Sequence, residues 1–118
     1  MAARGRIVSA ATGATLAAAE LADTPWRRTV GLLGRSGLAG GEALVLDPCY
    51  SVHTWFMRFP IDVVFIDTEG EVVRVRDRVA PFRFVWGGRR ARATIELASG
   101  EACRAGLHAG IRVRIEPA

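Results

Sequence analysis

Residues 61–79 read IDVVFIDTEGEVVRVRDRV, and this stretch predicts a β-hairpin. An apolar run is followed by the turn sequence Thr-Glu-Gly and then by a segment in which valine and arginine alternate. Alternation at every second position predicts Val73 and Val75 facing the core, and Arg74, Arg76 and Arg78 facing solvent. Similar patterns outside the hairpin predict strands at residues 15–22, 43–46, 51–58, 91–97 and 111–115, and a strand or loop at residues 81–86.

Many short strands separated by turn residues predict a mainly β fold, which we expect to be a small jelly-roll-like β-sandwich or barrel. Two short α-helices are predicted, one over residues 25–33 and one over residues 99–105 with Ser99 as its N-cap. The length of 118 residues fits one domain. We expect a β-rich domain over residues 15–118, preceded by a flexible or weakly ordered tail over residues 1–14, for which a short strand over residues 6–9 is the alternative.

Charge and composition exclude little. All basic residues are arginine, and 16 of them against 12 acidic residues give a net charge of +4. This charge attracts polyanions weakly but does not identify a nucleic-acid-binding protein. Two cysteines are too few for a disulfide scaffold. The N-terminus lacks the leucine-rich centre of a secretory signal, and no apolar run could span a membrane, so we expect a cytoplasmic protein without a membrane partner.

Three motifs together resemble a known family. They are TPxxRxxGLLxR over residues 24–35, PCxSVHTxxMRFPIDVVF over residues 48–65 and IELxxG over residues 95–100. The pattern is similar to the family called domain of unknown function 192, and the resemblance covers residues 15–115. It implies a small jelly-roll β-sandwich with short helices and carries over no catalytic residue. The polar motif positions in this sequence are Arg35, His53, Thr54, Asp62 and Glu96, and the sequence WFM over residues 55–57 departs from the Trp-Met pair of many relatives.

The leading hypothesis is a binding module with a semi-polar pocket around Asp62 and His53. Asp62 lies inside an apolar strand, and a buried carboxylate there must find a partner, such as Arg35 or His53. Arginine and histidine donate hydrogen bonds to anions, so we predict a small polar or anionic ligand. The predicted ligand-binding residues are Arg35, His53, Thr54, Trp55, Met57, Asp62 and Glu96.

Several of these residues also have a structural interpretation. His53 would be a core histidine that donates to Asp62 or to a backbone carbonyl. Asp62 would instead accept hydrogen bonds from backbone N–H groups or form an internal ion pair. Met57 and Trp55 would fill the core. Glu96 would pair with an arginine of a neighbouring strand, or would form an acid–base pair with Asp62.

An enzyme is the second hypothesis, either a metal-assisted hydrolase or a Cys/His-dependent one. Cys49, His53, Cys103 and His108 form a ligand set that zinc accepts, although the spacing fits no common zinc-finger pattern. A Cys49 nucleophile paired with His53 would also need an oxyanion site, which the sequence does not supply. We therefore predict no cofactor and leave catalysis undecided.

The segment from Arg74 to Arg92 supports two further interpretations. It contains seven arginines and one aspartate, and seven minus one gives a charge of +6. Phe82, Phe84 and Trp86 interleave with these arginines, a mixture that binds single-stranded nucleic acid on β surfaces. A nucleic-acid accessory protein is the third and least favoured hypothesis, because a solvated strand face shows the same alternation. The three aromatic residues would equally form a homodimer or protein-partner interface.

Overall fold

The computed structural model describes residues 3–22, 40–55 and 57–118. In these residues the chain is built mainly of β-strands, which confirms the predicted fold class. In chain order the elements are β1 (Ala3–Ser9), β2 (Thr15–Ala22), β3 (Glu42–Leu46), β4 (Ser51–His53), β5 (Ile61–Ile66), β6 (Val72–Val79), β7 (Phe84–Trp86), β8 (Ala93–Ala98), helix α1 (Glu101–Arg104) and β9 (Val113–Pro117). The helix predicted over residues 25–33 lies outside the described residues. No helix in the described ranges is long and apolar enough to cross a membrane.

Seven strands form one curled sheet in the order β6-β5-β8-β3-β2-β1-β9. The pair β2–β3 is parallel, and the other neighbouring pairs are antiparallel. The two edge strands approach each other where a β-bridge joins Glu71, just before β6, to Arg112, just before β9. Beside this bridge, the N–H of Val72 donates to the carbonyl of Ile111 at 2.8 Å. The curl gives the sheet an inner face and an outer face, between which side chains alternate along each strand.

Both faces of the sheet carry a hydrophobic core. The inner core contains Val64 of β5, Ile95 of β8 and Val45 of β3, which lie side by side in register. The intervening residues point outward, and Phe65 and Leu46 belong to the outer core. Strand β5 is buried along its whole length because both of its faces are covered. Its unbroken apolar run therefore reflects a central strand between two cores.

Strands β4 and β7 pair separately as a two-stranded ribbon that packs against the outer core. Val52 and Val85 are opposed in register and pack onto that core. Gly87 follows β7 and lies against strand β5, where any side chain at this position would collide with the ring of Phe65. The lack of a side chain at Gly87 therefore lets the ribbon approach the sheet closely.

The short strand that the sequence offers over residues 6–9 forms, and it is longer than expected. Ala3–Ser9 pairs with both β2 and β9 inside the sheet. Ile7 has no exposed surface and contributes to the inner core. The small and charged residues around Ile7 give a weak strand pattern, because the burial of this strand depends on partner strands that are distant in sequence.

Two local predictions are corrected. The strand expected over residues 51–58 ends at His53, because the carbonyl of Thr54 accepts turn hydrogen bonds from Met57 and Phe82. The second helix forms, but Ser99 does not cap it. Gly100 occupies the N-cap position with φ 88° and without a side-chain capping bond. Glycine fits there because this positive φ is costly for other residues.

Candidate functional site

Asp62 is fully buried on the inner face of β5. Its Oδ1 accepts a hydrogen bond from the N–H of Arg78 at 2.8 Å, and its Oδ2 accepts one from the N–H of Ala102 at 2.9 Å. These bonds join β5 to β6 and to α1, which confirms the structural alternative of backbone hydrogen bonds. Because both oxygens are engaged and the side chain has no exposed surface, the prediction that Asp62 lines a ligand pocket is wrong.

Glu96 is also buried, but on the other face of the sheet. Its register partners are Val63 and Leu44, which belong to the outer core. Asp62 is instead opposed to Leu97, which belongs to the inner core. Residues opposed in register share a face, so the two carboxylates point to opposite faces. The predicted acid–base pair of Asp62 and Glu96 is therefore wrong.

Thr54 is fully buried beneath the turn that connects β6 to β7. Its hydroxyl donates to the carbonyl of Ala80 at 2.7 Å and accepts from the N–H of Arg83 at 2.8 Å. Its backbone carbonyl accepts the N–H of Phe82 at 2.9 Å. Thr54 therefore shapes this turn, and its predicted contact with a ligand is excluded by its burial.

The ribbon displays a concentration of exposed aromatic rings. In the described residues, every exposed large hydrophobic side chain lies in or beside β4 and β7: Tyr50 (62% exposed), Trp55 (43%), Phe82 (53%), Phe84 (66%) and Trp86 (48%). The rings of Trp55 and Phe82 contact each other, with centroids 5.9 Å apart and planes tilted by 58°. We call these five residues and His53 the aromatic ribbon. Exposed apolar patches of this kind mark binding surfaces more often than isolated exposed residues do.

His53 belongs to this exposed surface. It is opposed in register to Phe84 on the outward side of the ribbon and is exposed. The structure therefore brings His53 together with aromatic rings and not with the buried Asp62. Met57 is buried in the outer core, as its core-filling alternative predicts, whereas Trp55 is not core-filling. The predicted site residue Arg35 lies outside the described residues.

Two arginines are held beside the rings by backbone carbonyls. Arg74 Nη1 donates to the carbonyl of Trp86 at 3.1 Å. Arg83 Nη1 donates to the carbonyls of Pro81 and Phe82 at 3.4 and 3.3 Å. Because a carbonyl does not neutralise a guanidinium, both positive charges stay available at the edge of the aromatic ribbon.

Left-handed backbone conformations flank the same turn. Arg78 has φ 51° and Phe82 has φ 63°, and they are the non-glycine residues with positive φ in the described part of the chain. Such conformations cost on the order of 1 kcal/mol each and persist where surrounding contacts enforce them. Here the enforcing groups are Asp62, which accepts from the N–H of Arg78, and Thr54, which accepts from the N–H of Phe82. The two buried polar motif residues thus hold the turn that presents the aromatic ribbon.

A groove of about 530 Å³ runs beside the ribbon and is lined by residues 75–80 and 83–85. We call it the basic groove because Arg76, Arg78 and Arg83 line it together with a single acid, Asp77. Among the described residues none of these three arginines forms an ion pair. Phe84 lines the groove and also belongs to the aromatic ribbon, so the two surfaces are continuous.

A second cleft, of about 490 Å³, lies at the turn between β5 and β6. We call it the balanced cleft, because its charged residues are paired. Arg92 contacts Asp47 at 3.0 Å, and Arg90 contacts Asp67 at 2.8 Å. Burial acts to raise the pKa of Asp67, but hydrogen bonds from the N–H groups of Glu71 and Glu69 and from Arg90 outweigh it and lower the pKa. Asp67 is therefore engaged in holding the turn, and Asp47 is engaged in an ion pair.

The four candidate zinc ligands do not form a metal-binding group in the described part of the chain. Cys49 is half-buried and its Sγ donates to the carbonyl of Ser51 at 3.1 Å. Cys103 is exposed on α1, and the Nδ1 of His108 contacts the carbonyl of Ala109. The described residues contain no group of three or more His, Cys, Asp or Glu side chains that could hold a metal ion.

The sequence predicts part of this surface but does not show that its residues form one continuous surface. Phe82, Phe84 and Trp86 were predicted as an interface, but Tyr50 was not, and Trp55 was placed in a pocket. The available signal was the alternation of aromatic residues with arginine and valine over residues 82–86. It could not reveal the pairing of β4 with β7, which brings His53 opposite Phe84.

Comparison with known proteins defines the class of this small β protein. The chain belongs to the family of domain of unknown function 192, described as uncharacterized ACR, whose pattern matches residues 7–115. Two solved structures share the fold. A Sinorhizobium meliloti 1021 protein, provisionally described as a transcription regulator, is 23% identical with a TM-score of 0.81, covering 98% of this chain and 94% of its own. A Novosphingobium aromaticivorans DSM 12444 protein of unknown function is 20% identical with a TM-score of 0.79, covering 94% of this chain and 83% of its own. No curated protein matches.

Proposed function

We propose that this protein is a binding module, that its ligand surface is the aromatic ribbon with the adjoining basic groove, and that its ligand is anionic. The observation that carries this proposal is that five exposed aromatic rings lie in or directly beside one two-stranded ribbon. Leaving such rings in water forfeits the free energy of their burial, about 25 cal/mol per Å². A bound ligand would recover part of that free energy.

The charge of the surface supports an anionic ligand. Arg74 and Arg83 lie beside the rings and Arg76 and Arg78 follow in the groove, whereas Asp77 is the one acid of the groove lining. Four positive charges minus one negative charge leave +3. A guanidinium without a carboxylate partner binds carboxylates and phosphates through charge-assisted hydrogen bonds.

The proposal keeps the predicted ligand class but moves the site. Asp62 and Thr54 become the buried supports of the surface, and His53 and Trp55 remain ligand-facing candidates. Because Asp62 and Thr54 fix the backbone of the turn before a ligand binds, less entropy is lost on association. The cytoplasmic location stays a prediction from the sequence.

A thermal-shift measurement with adenosine 5′-monophosphate, ribose 5-phosphate and citrate tests this proposal. A probe at 100 times its Kd adds about 2.7 kcal/mol of stability, which for a domain of this size raises the Tm by about 10 °C. We expect stabilisation by at least one probe, lost in Trp86→Ala and weakened in His53→Ala. His108→Ala, which alters an exposed histidine outside the ribbon, is the matched control. An unchanged Tm with every probe, or a shift retained in both ribbon variants, would contradict the proposed surface.

A further inference from the structure

The spacing of rings along the aromatic ribbon indicates what kind of anion fits it. Phe84 and Trp86 point outward from the same strand, two residues apart, and His53 lies opposite Phe84. Two residues of a strand span about 7 Å. This is about twice the 3.4 Å step of bases stacked along one strand of a duplex. Neighbouring rings are therefore too far apart for one continuous base stack and suit separate bases, each on its own ring.

The charges follow the rings. Arg83 is held at the carbonyls of Pro81 and Phe82, and Arg74 at the carbonyl of Trp86, so the two ends of the ring row each have a guanidinium at their edge. Arg76 lines the groove alongside. A linear ligand with regularly spaced negative charges and flat apolar groups matches both features.

We infer that the ligand is single-stranded nucleic acid, with bases stacked on the aromatic ribbon and phosphates along the basic groove. This inference rests on the proposed function. Single strands present unstacked base faces to aromatic side chains, whereas a duplex hides them in its stack. A duplex would offer its phosphates to the arginines and leave the rings unused.

Charge also discriminates against a second copy of this chain. An isologous dimer through this surface would bring together two copies of the same positively charged patch, which carries Arg74, Arg76 and Arg83. Such like-charge contacts oppose association. An acidic peptide would satisfy the arginines, but its carboxylates have no planar apolar faces for the rings. Single-stranded nucleic acid satisfies both.

The test is fluorescence anisotropy with 5′-labelled dT12 and rU12 at 50 and 200 mM salt. Contact with about four phosphates predicts binding that is weaker at the higher salt concentration by about 50-fold. Replacing one stacking ring, in Phe84→Ala or Trp86→Ala, is expected to weaken binding by between about 5-fold and about 150-fold. Arg83→Ala should weaken binding and reduce the salt dependence. Arg114→Ala, which removes an equally exposed arginine on β9, should change little.

Circular dichroism of each variant verifies the fold before binding is compared. Equal affinity for dT12 and a 12-base-pair duplex would overturn the inference. So would equal losses of dT12 affinity in Arg83→Ala and Arg114→Ala with no loss in Phe84→Ala, because the interaction would then be nonspecific attraction between charges. Full competition by a poly-glutamate peptide would assign the surface to acidic protein. Binding of adenosine 5′-monophosphate at the ribbon without tighter binding of either oligonucleotide would refute the nucleic-acid inference while leaving the proposed function intact. Failure of every anionic probe would refute both.

Discussion

The basic groove and the balanced cleft have nearly equal volumes, about 530 and 490 Å³, but their charges are organised differently. In the balanced cleft, arginines meet carboxylates at hydrogen-bonding distance, as in the pairs Arg92–Asp47 and Arg90–Asp67. In the basic groove, Arg76 and Arg83 have no carboxylate partner among the described residues. A cleft whose charges are already paired gains little binding free energy from a charged ligand. Unpaired charges beside exposed rings can form new hydrogen bonds with such a ligand and therefore favour its binding.

The two regions also differ in what supports them. The turn at the balanced cleft is held by Asp67, whose carboxylate accepts the N–H groups of Glu69 and Glu71 within its own turn. The turn at the basic groove is held by Asp62, which reaches it from β5, and by Thr54, which reaches it from the segment after β4. Long-range support fixes the position of a surface relative to the rest of the fold, which local support cannot do. Four predictions sharpen this difference, from the largest expected effect to the smallest.

Replacing Asp62 with alanine should have the largest effect. The change leaves the part-buried N–H of Arg78 and the buried N–H of Ala102 without partners, and an unsatisfied buried group costs about 1–3 kcal/mol. We expect a loss of about 3 kcal/mol in the free energy of unfolding, measured by urea denaturation. Asp77→Ala, an exposed aspartate on the neighbouring strand, should change stability by less than about 0.5 kcal/mol. Equal losses of stability in Asp62→Ala and Asp77→Ala would contradict the conclusion that Asp62 holds the fold through its hydrogen bonds.

Thr54→Val removes one hydroxyl while keeping the side-chain shape. It breaks the hydrogen bonds to Ala80 and Arg83 and should cost about 2 kcal/mol in urea denaturation. Thr54→Ser retains the hydroxyl and should recover most of that loss. Thr68→Val, at an exposed position of the other turn, should be nearly neutral. Full stability in Thr54→Val would show that the hydroxyl does not hold the turn.

Exchanging arginine for alanine in each cleft should separate stability from binding. Arg92→Ala removes an exposed ion pair with Asp47, so we expect a loss of about 0–1 kcal/mol in stability and unchanged affinity for dT12. Arg76→Ala breaks no ion pair described here and should leave the Tm unchanged, but it should weaken binding of dT12 several-fold. A loss of dT12 affinity in Arg92→Ala, together with a loss of stability but unchanged affinity in Arg76→Ala, would contradict this comparison of the two clefts.

The smallest effect should come from Glu101, the first residue of α1. Hydrogen bonds from Arg104 and from the N–H of Gly41 lower its pKa from 4.5 to about 2. A lowered pKa in the folded state stabilises the protein above the unfolded pKa, and that stability is lost as pH falls through the folded value. Glu101→Gln should therefore lower the Tm slightly above pH 5 and match the wild type near pH 2. A Tm difference that does not narrow between pH 5 and pH 2 would contradict this linkage.

Strand prediction succeeded where the pattern that marks a strand is local in the sequence. Ile61–Ile66 and Thr15–Ala22 agree with the predicted bounds, because apolar runs and turn residues mark them in the sequence. Prediction found only the second half of Ala3–Ser9, as a short alternative strand over residues 6–9, because the pairing of this strand depends on β9 at the other end of the chain. Prediction failed for the alternation of His53, Trp55 and Met57, because the strand stops at His53 and the chain turns there.

The sequence alone determined the mainly β class, the family and the concentration of unusual residues in one central block. It also raised the structural alternative for Asp62, since a carboxylate in an apolar strand requires a partner. Only the tertiary structure decided on which face each residue lies. Strand alternation specifies that neighbours point oppositely, but partner strands specify which side is the core. That information placed Asp62 inside, Glu96 on the opposite face and His53 among exposed rings, because strand pairing joins residues that the chain holds far apart.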